Sequence, residues 1–274
     1  MPELPEVQTV INYLKKNIIK KCINKIDIFY DKLLKNSDID EFKKFLLNEI
    51  IISIDRKGKF IIINLTNNKH LVIHLRMEGK LFFEEFNSKP SHPQLLAEFK
   101  LSNGLLRYYD TRKFGTFYIL KSENLSNFLP LIKLGPDAND KTLDPQSTFK
   151  FIKDRNIAIK TLLLDQSIIA GIGNIYANEI LFKVNIIPTK KGKEISLIEW
   201  KNILNASEEI LNQSIKNNGT TIHSFKFNAF SSGGYQKFLM VHGRKNELCK
   251  ICRNPIIYQK INGRGTFYCK KCQK

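Results

Sequence analysis

The chain has 274 residues, of which 42% are hydrophobic, a composition typical of a folded protein of about two domains. Lysine and arginine number 44 against 26 acidic residues, so the formal net charge of +18 indicates a polyanionic partner, either nucleic acid or an acidic membrane surface. Nucleic acid is favoured, because no apolar run approaches the length of a membrane-spanning helix and the acidic N-terminus is unlike a signal peptide. An AT-rich genome would also raise the lysine count, so charge alone supports binding only weakly.

The chain begins with the sequence MPELPE, which places a secondary amine beside a carboxylate if Met1 is removed. A terminal amine has a pKa near 8, against about 10.4 for lysine, so a fraction of it is uncharged at neutral pH. Pro2 could therefore capture a carbon electrophile as an iminium, and Glu3 could transfer a proton beside it. The alternative is a processed terminus that starts a helix, with Pro5 in the first turn and Glu6 near the positive end of the dipole.

The first half of the chain predicts one helix followed by short strands. Apolar residues at helical spacing predict an amphipathic helix over residues 4–19. From about residue 25 to 120 the pattern is that of strands bounded by glycine and asparagine turns, among them 50–55, 59–65, 70–75 and 115–120. Strands at this spacing predict an antiparallel β-sandwich, with the helix covering one edge.

The sequence Leu134-Gly135-Pro136-Asp137 interrupts this pattern and marks a predicted domain boundary. Beyond it, helices are predicted at 145–154, 157–165, 174–182 and 197–217, and short strands return in 238–274. The predicted fold is therefore α+β. It has an N-terminal β-sandwich domain (1–133), a helical domain (134–237) and a C-terminal finger built on a β-hairpin (238–274).

Four of the five cysteines form two C-x2-C pairs separated by sixteen residues: Cys249, Cys252, Cys269 and Cys272. Four thiolates at this spacing fit the tetrahedron of one structural zinc ion, with no position left open for chemistry. Two disulfides are the competing interpretation, but an odd fifth cysteine and the absence of a secretion signal favour metal. Cys22 is most simply a buried small apolar residue.

Two segments have the features of a phosphate-binding surface. A turn with two glycines precedes the helix predicted at 174–182, and an N-terminus capped by Asn174 would offer amide donors to a DNA backbone. The last 26 residues carry seven basic residues and no acidic one, with Arg264 between two glycines at the predicted hairpin tip. A solvated basic tail is the alternative to a DNA-binding finger.

Two loops that follow strands, 74–79 and 110–115, carry Met77, Arg112 and Phe114. Exposed side chains of these types could wedge into a duplex and fill the space left by an extruded base. Taken singly, the methionine and the phenylalanine would more often be core residues.

Together, these motifs resemble the formamidopyrimidine-DNA glycosylase family, in order along the whole chain. The motifs are 1–6, 56–60, 74–79, 110–115, 171–181, 219–221 and the 249–273 finger. The resemblance implies a helix–two-turn–helix enzyme of base excision repair that removes oxidised purines, notably 8-oxoguanine, and then cuts the strand. It further implies a monomer in the bacterial cytoplasm, acting at the nucleoid on double-stranded DNA that contains oxidised purines or abasic sites.

The family's catalytic roles carry over to four residues. The resemblance implies that Pro2 is the Schiff-base nucleophile, Glu3 the proton donor at the sugar, Lys59 the residue of β-elimination and Arg264 that of δ-elimination. It also implies that Met77, Arg112 and Phe114 fill the void in the duplex, with Arg112 facing the orphaned cytosine. The further DNA-contacting positions implied are His74, His92, Arg155, Lys160 and Asn174.

The sequence departs from the family pattern in three places. The usual His-x-His segment appears around His92 as Ser-His-Pro-Gln, His223-Ser224 replaces a common Arg-Asp, and 225–234 is an unusual damaged-base loop. Two other functions stay open. One is a glycosylase of the endonuclease VIII group, which acts on oxidised pyrimidines and is disfavoured by the void-filling trio. The other is a non-catalytic zinc-ribbon protein, which leaves Pro2-Glu3 unexplained.

Overall fold

The structure is a computed structural model that describes residues 2–222 and 224–274. Met1, whose removal the proposed amine requires, and His223, one of the departures from the family, lie outside the described residues. The chain divides into two compact units, each built from two segments. The first comprises Met1–Ile132 and Asn217–Gly234, and the second comprises Lys133–Lys216 and Tyr235–Lys274.

The first unit begins with helix α1 (Leu4–Ile18), close to the predicted range. Pro5 lies in the first turn, where its missing N–H leaves no helical hydrogen bond unmade. One face of the helix is completely buried, including Val7, Ile11 and Leu14, which recur at helical spacing.

The predicted β-sandwich is confirmed as two antiparallel four-stranded sheets. The first has the order β1 (Ile23–Ile28), β6 (Leu95–Leu101), β7 (Gly104–Tyr109) and β5 (Lys80–Glu84). The second has the order β2 (Ile51–Lys57), β3 (Phe60–Leu65), β4 (Lys69–His74) and β8 (Thr116–Lys121). Helix α1 contacts the edge strands β2 and β5, so it covers one open edge of the sandwich as predicted.

A second helix, α2 (Ile39–Leu46), interrupts the region for which only strands were predicted. The Asp38 carboxylate caps it by accepting a hydrogen bond from the Glu41 amide at 2.8 Å. Phe42 and Leu46, one turn apart, are fully buried in the core of the sandwich. Two short helices, α3 (Ser122–Leu125) and α4 (Leu129–Ile132), follow strand β8.

The second unit is helical, with α5 (Pro145–Phe149), α6 (Ile159–Leu163), α7 (Asn174–Lys183) and α8 (Leu197–Lys216). Helix α5 ends five residues earlier than predicted, and residues 150–154 continue as turns. A hairpin of β9 (Ile257–Ile261) and β10 (Arg264–Tyr268) completes the unit. Short 3-10 helices occur at Asp31–Leu33, Gly192–Glu194 and Tyr235–Phe238. None of the helices formed by residues 2–222 and 224–274 is long and apolar enough to span a membrane.

Candidate active site

Pro2 and Glu3 lie directly before α1, and both are buried. Glu3 is the N-cap of the helix and forms a capping box with Glu6. The Glu3 backbone amide donates to Oε2 of Glu6 at 2.8 Å, which holds the first residues of the chain in one conformation. The terminal segment is therefore a fixed part of the fold, with Glu3 directly after Pro2.

The second oxygen of Glu6 binds a segment far along the chain. Oε1 accepts a hydrogen bond from the Thr220 amide at 2.7 Å, and Glu6 is only 1% exposed. Gly219 precedes this amide with φ of +76°, and a Cβ there would lie 3.0 Å from Oε1 of Glu6. A glycine is needed on both counts, and Glu6 thereby joins the N-terminus to the start of the 219–234 loop.

Lys59 lies in the two-residue turn between β2 and β3, and it is 7% exposed. Gly58 has φ of +55°, which the turn requires. Arg56 fixes the turn, because its Nη1 donates to the Gly58 carbonyl and its Nε donates to Gln8 on α1, each at 3.0 Å. A buried lysine is thus held at the end of a hairpin that is tied to α1.

His74 ends strand β4 and is 8% exposed. Its Nδ1 accepts a hydrogen bond from the Arg76 amide at 2.9 Å, and its ring packs edge-on against Phe60. Burial, assisted by the charges of Arg76 and Lys59, lowers the pKa of His74 to about 3. His74 is therefore neutral at physiological pH, with its proton on Nε2 because Nδ1 is an acceptor.

The loop that carries Arg112 and Phe114 is built around one buried carboxylate. Asp110 Oδ1 accepts the Arg112 amide at 3.0 Å, while Oδ2 accepts the amides of Phe114 and Gly115, each at 2.9 Å. Lys113 between them has φ of +57°, a conformation that these hydrogen bonds stabilise. Asp110 itself is fully buried.

The three side chains predicted to enter a duplex lie at the surface of the first unit. Phe114 is 51% exposed, Arg112 is exposed and Met77 is half-buried. The Arg112 guanidinium lies 4.8 Å from the centre of the Phe114 ring, a cation–π contact. Neither Arg112 nor Phe114 is a core residue, so the alternative that Phe114 belongs to the hydrophobic core is wrong.

His92 lies in the loop between β5 and β6 and is half-buried. Its ring is 5.9 Å from that of Tyr109, and its Nδ1 lies 2.9 Å from the Pro93 carbonyl. These contacts link it to its own loop and to strand β7, and they include none of the other predicted site residues.

In the second unit, two predicted DNA-contacting residues hold the finger hairpin. Lys160 is 1% exposed, and its Nζ donates to the Gly265 carbonyl at 2.9 Å and to Thr266 Oγ1 at 2.7 Å. Asn174 donates to the same carbonyl at 3.0 Å. Both side chains therefore fix the backbone next to Arg264, which is exposed at the start of β10.

The expected cap of α7 is wrong in one detail. Gly173 is the N-cap, in extended conformation, and Asn174 is the first helical residue. The Asn174 amide is directed to the finger hairpin and does not cap its own helix.

Arg155, Lys160 and Arg264 line one open cleft of the second unit, with a volume of about 320 Å³. Arg155 is exposed on the turn before α6, and Asp165 is the one acidic residue of the lining. Arg155 and Arg264 present exposed guanidinium groups there, while the Lys160 ammonium is buried against the hairpin, so the cleft has a net positive charge suited to an anion such as a phosphate.

A buried carboxylate on α7 anchors the segment that leads into the finger. Glu179 accepts three consecutive backbone amides, those of Met240 at 2.7 Å, Val241 at 3.0 Å and His242 at 2.7 Å. Burial raises the pKa of Glu179, and the three amides oppose that shift. The preceding Asn178 contacts Nδ1 of His242 at 2.8 Å, so two adjacent residues of α7 hold this segment.

The four finger cysteines converge as predicted, with all their sulfur atoms within 4.8 Å of one another. The sulfur atoms of Cys252 and Cys269 are 3.3 Å apart, and those of Cys249 and Cys272 are 3.9 Å apart. A zinc ion bound to four thiolates at about 2.3 Å implies sulfur–sulfur distances of about 3.8 Å, so the cluster fits one tetrahedral ion. The finger therefore has one structural zinc site, and no ligand position is open for chemistry.

Comparisons with known proteins agree with this arrangement. Family models match in chain order: the N-terminal domain of formamidopyrimidine-DNA glycosylase at residues 1–117, its H2TH domain at 134–226, and a zinc finger found in FPG and IleRS at 242–274. A formamidopyrimidine-DNA glycosylase of Ureaplasma parvum is 45% identical, over 100% of both chains. The chain belongs to the formamidopyrimidine-DNA glycosylase family.

Solved structures give the same result. A Lactococcus lactis FPG mutant in complex with a Fapy-dG containing DNA superposes with a TM-score of 0.93 at 32% identity, over 100% of both chains. The wild-type Lactococcus lactis protein, in complex with an oxidised pyrimidine containing DNA, superposes with a TM-score of 0.92 at 31% identity, again over 100% of both chains. The α+β architecture and the finger predicted for this family are thereby confirmed.

The sequence motifs did not reveal several residues that organise this family's site. Glu6 was noted only for its place at a helix start; a glutamate at the third helical position is half of the capping-box signal, but Glu3 is not one of the usual N-cap residues that complete it. Asp110 and Glu179 gave no signal, because each binds backbone amides and the sequence does not show which amides need a partner. Tyr108, beneath the loop at 110–115, looks like an ordinary strand residue.

Proposed function

We propose that this protein is a base-excision-repair DNA glycosylase and abasic-site lyase that removes oxidised purines, including 8-oxoguanine and formamidopyrimidines. The observation that carries the proposal is the buried Pro2-Glu3 pair, held at the start of α1 by Glu6. Membership of the family supports the reaction class, and the charge of +18 supports DNA as the partner. We assign the protein to the bacterial cytoplasm, acting at the nucleoid, because its named relatives are bacterial. A monomer is part of the same proposal.

The reaction begins at the amine that removal of Met1 exposes. The nitrogen lone pair of Pro2 attacks C1′ of the damaged nucleotide, and the base departs with the electron pair of the glycosidic bond. Glu3 gives a proton to the sugar oxygen, so the ring opens to an iminium. The iminium draws electrons from the neighbouring C2′–H bond, which makes that proton acidic.

Strand cleavage then follows by two eliminations. Loss of the C2′ proton expels the 3′ phosphate, and a second proton loss expels the 5′ phosphate. We assign the first elimination to Lys59, which is buried in the β2–β3 turn that Arg56 holds. We assign the second to Arg264, which is exposed beside the backbone that Lys160 and Asn174 hold. Zinc supplies only the fold of the finger.

DNA is held by both units in this proposal. Met77, Arg112 and Phe114 fill the space of the extruded nucleotide, because all three side chains are solvent-accessible. Asp110 fixes the backbone that carries Arg112 and Phe114. Arg112 faces the orphaned base, where its donors match O2 and N3 of cytosine. The cleft with Arg155 binds a backbone phosphate, and His74 and His92 are assigned to further backbone contacts.

We retain the division into 1–133, 134–237 and 238–274 as a proposal about function. The first part carries the nucleophile, the second the helix–two-turn–helix element and the third the zinc finger. The family models, which match at 1–117, 134–226 and 242–274, support this order.

Borohydride trapping tests the nucleophile. Reduction should link the protein covalently to a duplex with 8-oxoguanine opposite cytosine, and peptide mapping should place the link at Pro2. The matched control carries a cleavable N-terminal tag, which should abolish the adduct until cleavage leaves Pro2 at the terminus. An adduct at a lysine, with full activity of the tagged protein, would refute the assignment.

Lesion preference is tested by the same assay on a second duplex. The Lactococcus lactis relative was crystallised with an oxidised pyrimidine, so an oxidised pyrimidine opposite guanine is the informative competitor. Faster trapping on the 8-oxoguanine duplex supports the purine assignment, and faster trapping on the pyrimidine duplex favours endonuclease VIII-like specificity. No adduct on either duplex would favour a non-catalytic zinc-ribbon protein.

A further inference from the structure

One buried hydroxyl lies beneath both loops that carry the void-filling side chains. Tyr108 is fully buried on β7, and its hydroxyl donates to Asp110 Oδ2 at 3.3 Å. A Cβ added to Gly115 would lie 1.7 Å from this oxygen, and one added to Gly79 would lie 2.5 Å from it. The backbones of both loops therefore rest directly on the Tyr108 hydroxyl.

The two glycines are explained by this contact. Gly79 closes the loop that contains Met77, and Gly115 closes the loop that contains Arg112 and Phe114. Neither glycine has the positive φ that alone would demand glycine, so the reason for both is the lack of space for a side chain. Tyr108 takes that space at Gly115, and at Gly79 it does so together with the Leu75 carbonyl oxygen, which would lie equally close at 2.5 Å. The hydroxyl also stays protonated, because burial and the Asp110 carboxylate raise the pKa of Tyr108.

Asp110 holds the backbone of the second loop, but the side chains at its surface are not packed in the core. Arg112 and Phe114 contact each other and are exposed, so core packing does not fix their positions. One further link joins the loops, since Thr111 donates to the Glu78 carboxylate. That link is exposed, whereas the Tyr108 contact is buried and touches both loops at once.

We propose that Tyr108 is a positioning residue that sets the spacing of Met77, Arg112 and Phe114 and thereby the discrimination between bases opposite the lesion. The inference rests on the proposed insertion of these three side chains into the duplex. Arg112 reads the orphaned base by directional hydrogen bonds, which a shift of its loop weakens. Met77 fills space, and a changed distance between the two loops leaves the void only partly filled.

The test is Tyr108→Phe, with Tyr109→Phe as the matched control. Tyr109 is the next residue of β7 and equally buried, but its hydroxyl donates to Glu84. Single-turnover excision is measured on 8-oxoguanine opposite cytosine and opposite adenine. Tyr108→Phe should lower the cytosine-to-adenine rate ratio by about threefold to tenfold, the size expected for the loss of one buried hydrogen bond. Tyr109→Phe should leave the ratio unchanged.

A second readout separates positioning from general damage to the fold. Cleavage of an abasic site in single-stranded DNA needs the amine but no filled duplex, so Tyr108→Phe should keep the wild-type rate there. Gly115→Ala provides an independent variant, because its methyl group displaces the same loop against the same oxygen. Gly115→Ala should change the cytosine-to-adenine rate ratio less in the Tyr108→Phe background, because the hydroxyl oxygen closest to the added methyl group is then absent.

The outcomes distinguish the positioning role of Tyr108 from the proposed insertion of the three side chains into DNA. If Arg112→Ala itself leaves the rate ratio unchanged, the insertion of the loop into DNA is wrong. If Arg112→Ala lowers the ratio but Tyr108→Phe does not, only the role of Tyr108 is refuted. Equal loss of single-strand and duplex cleavage in Tyr108→Phe would also refute it, because the hydroxyl would then act on the fold as a whole.

Discussion

His74 should make the first unit sensitive to mild acid. The pKa of His74 is about 3 in the fold and about 6.5 in an unfolded chain, because burial excludes the charged form. As the pH falls below 6.5, His74 becomes protonated in the unfolded chain but stays neutral in the folded chain. The contribution of His74 to the free energy of unfolding is therefore fully present above pH 6.5 and is lost as the pH falls from 6.5 towards 3.

The size of the effect follows from the two pKa values. Lowering the pH from 7 to 5 should reduce the free energy of unfolding by about 2 kcal/mol through His74 alone. At pH 5 this figure depends almost entirely on the unfolded pKa, because the folded group is still neutral. The perturbation is His74→Asn, which places an amide oxygen near the position of Nδ1 and so keeps an acceptor for the Arg76 amide.

Urea unfolding followed by circular dichroism at pH 7 and pH 5 measures the difference. The wild-type protein should lose about 2 kcal/mol more than His74→Asn between these two values. Phe60→Leu is the companion variant, because it removes the ring that packs on His74 and so reduces its burial. It should lose less stability between pH 7 and pH 5 than the wild-type protein does, because the folded His74 is then easier to protonate. An identical pH dependence in wild type and His74→Asn would show that His74 is protonated within the fold.

Three further outcomes are expected. Glu6→Gln should lower the free energy of unfolding by about 1–3 kcal/mol, measured by urea unfolding, because its amide group opposes one of the two backbone donors. The same variant should slow borohydride trapping more than a control, Gln8→Glu, on the same helix. Cys252→Ala should abolish stoichiometric zinc in metal analysis and weaken DNA binding while the β-sandwich stays folded; full affinity without zinc would contradict this. Glu179→Gln should cost about 1–3 kcal/mol and increase hydrogen exchange at residues 240–242, and unchanged exchange there would show that the anchor is dispensable.

Local patterns predicted the parts of the fold that depend on neighbours in sequence. The apolar spacing of α1, the turn residues that bound the strands around residues 50–75 and the spacing of the four finger cysteines each report one local geometry, and the structure has all three. Helix α2 was missed because its eight residues bury only Phe42 and Leu46, a stripe too short to separate from the surrounding strands.

The supports of the site could not be predicted, because they join residues far apart in the chain. Lys160 was expected near phosphate from its position in a motif, yet its ammonium is engaged by the finger hairpin more than a hundred positions away. A tyrosine from another element limits the space at Gly115 and, together with the Leu75 carbonyl, at Gly79. Motifs identify which side chains face a ligand, whereas the partners that hold them depend on tertiary packing.

The hydrogen bond between Glu6 and Thr220 has a consequence for biosynthesis. Its partners are 214 positions apart, and residues 217–234 belong to the same compact unit as the N-terminus. At 5–20 residues per second, the ribosome makes Thr220 roughly 10 to 40 s after Glu6. During that interval the terminal amine has left the ribosome, but one oxygen of the carboxylate that orders it lacks its amide donor. The N-terminus of the nascent chain therefore lacks one of the two hydrogen bonds of Glu6, and this arrangement is completed only when nearly all of the protein has been translated.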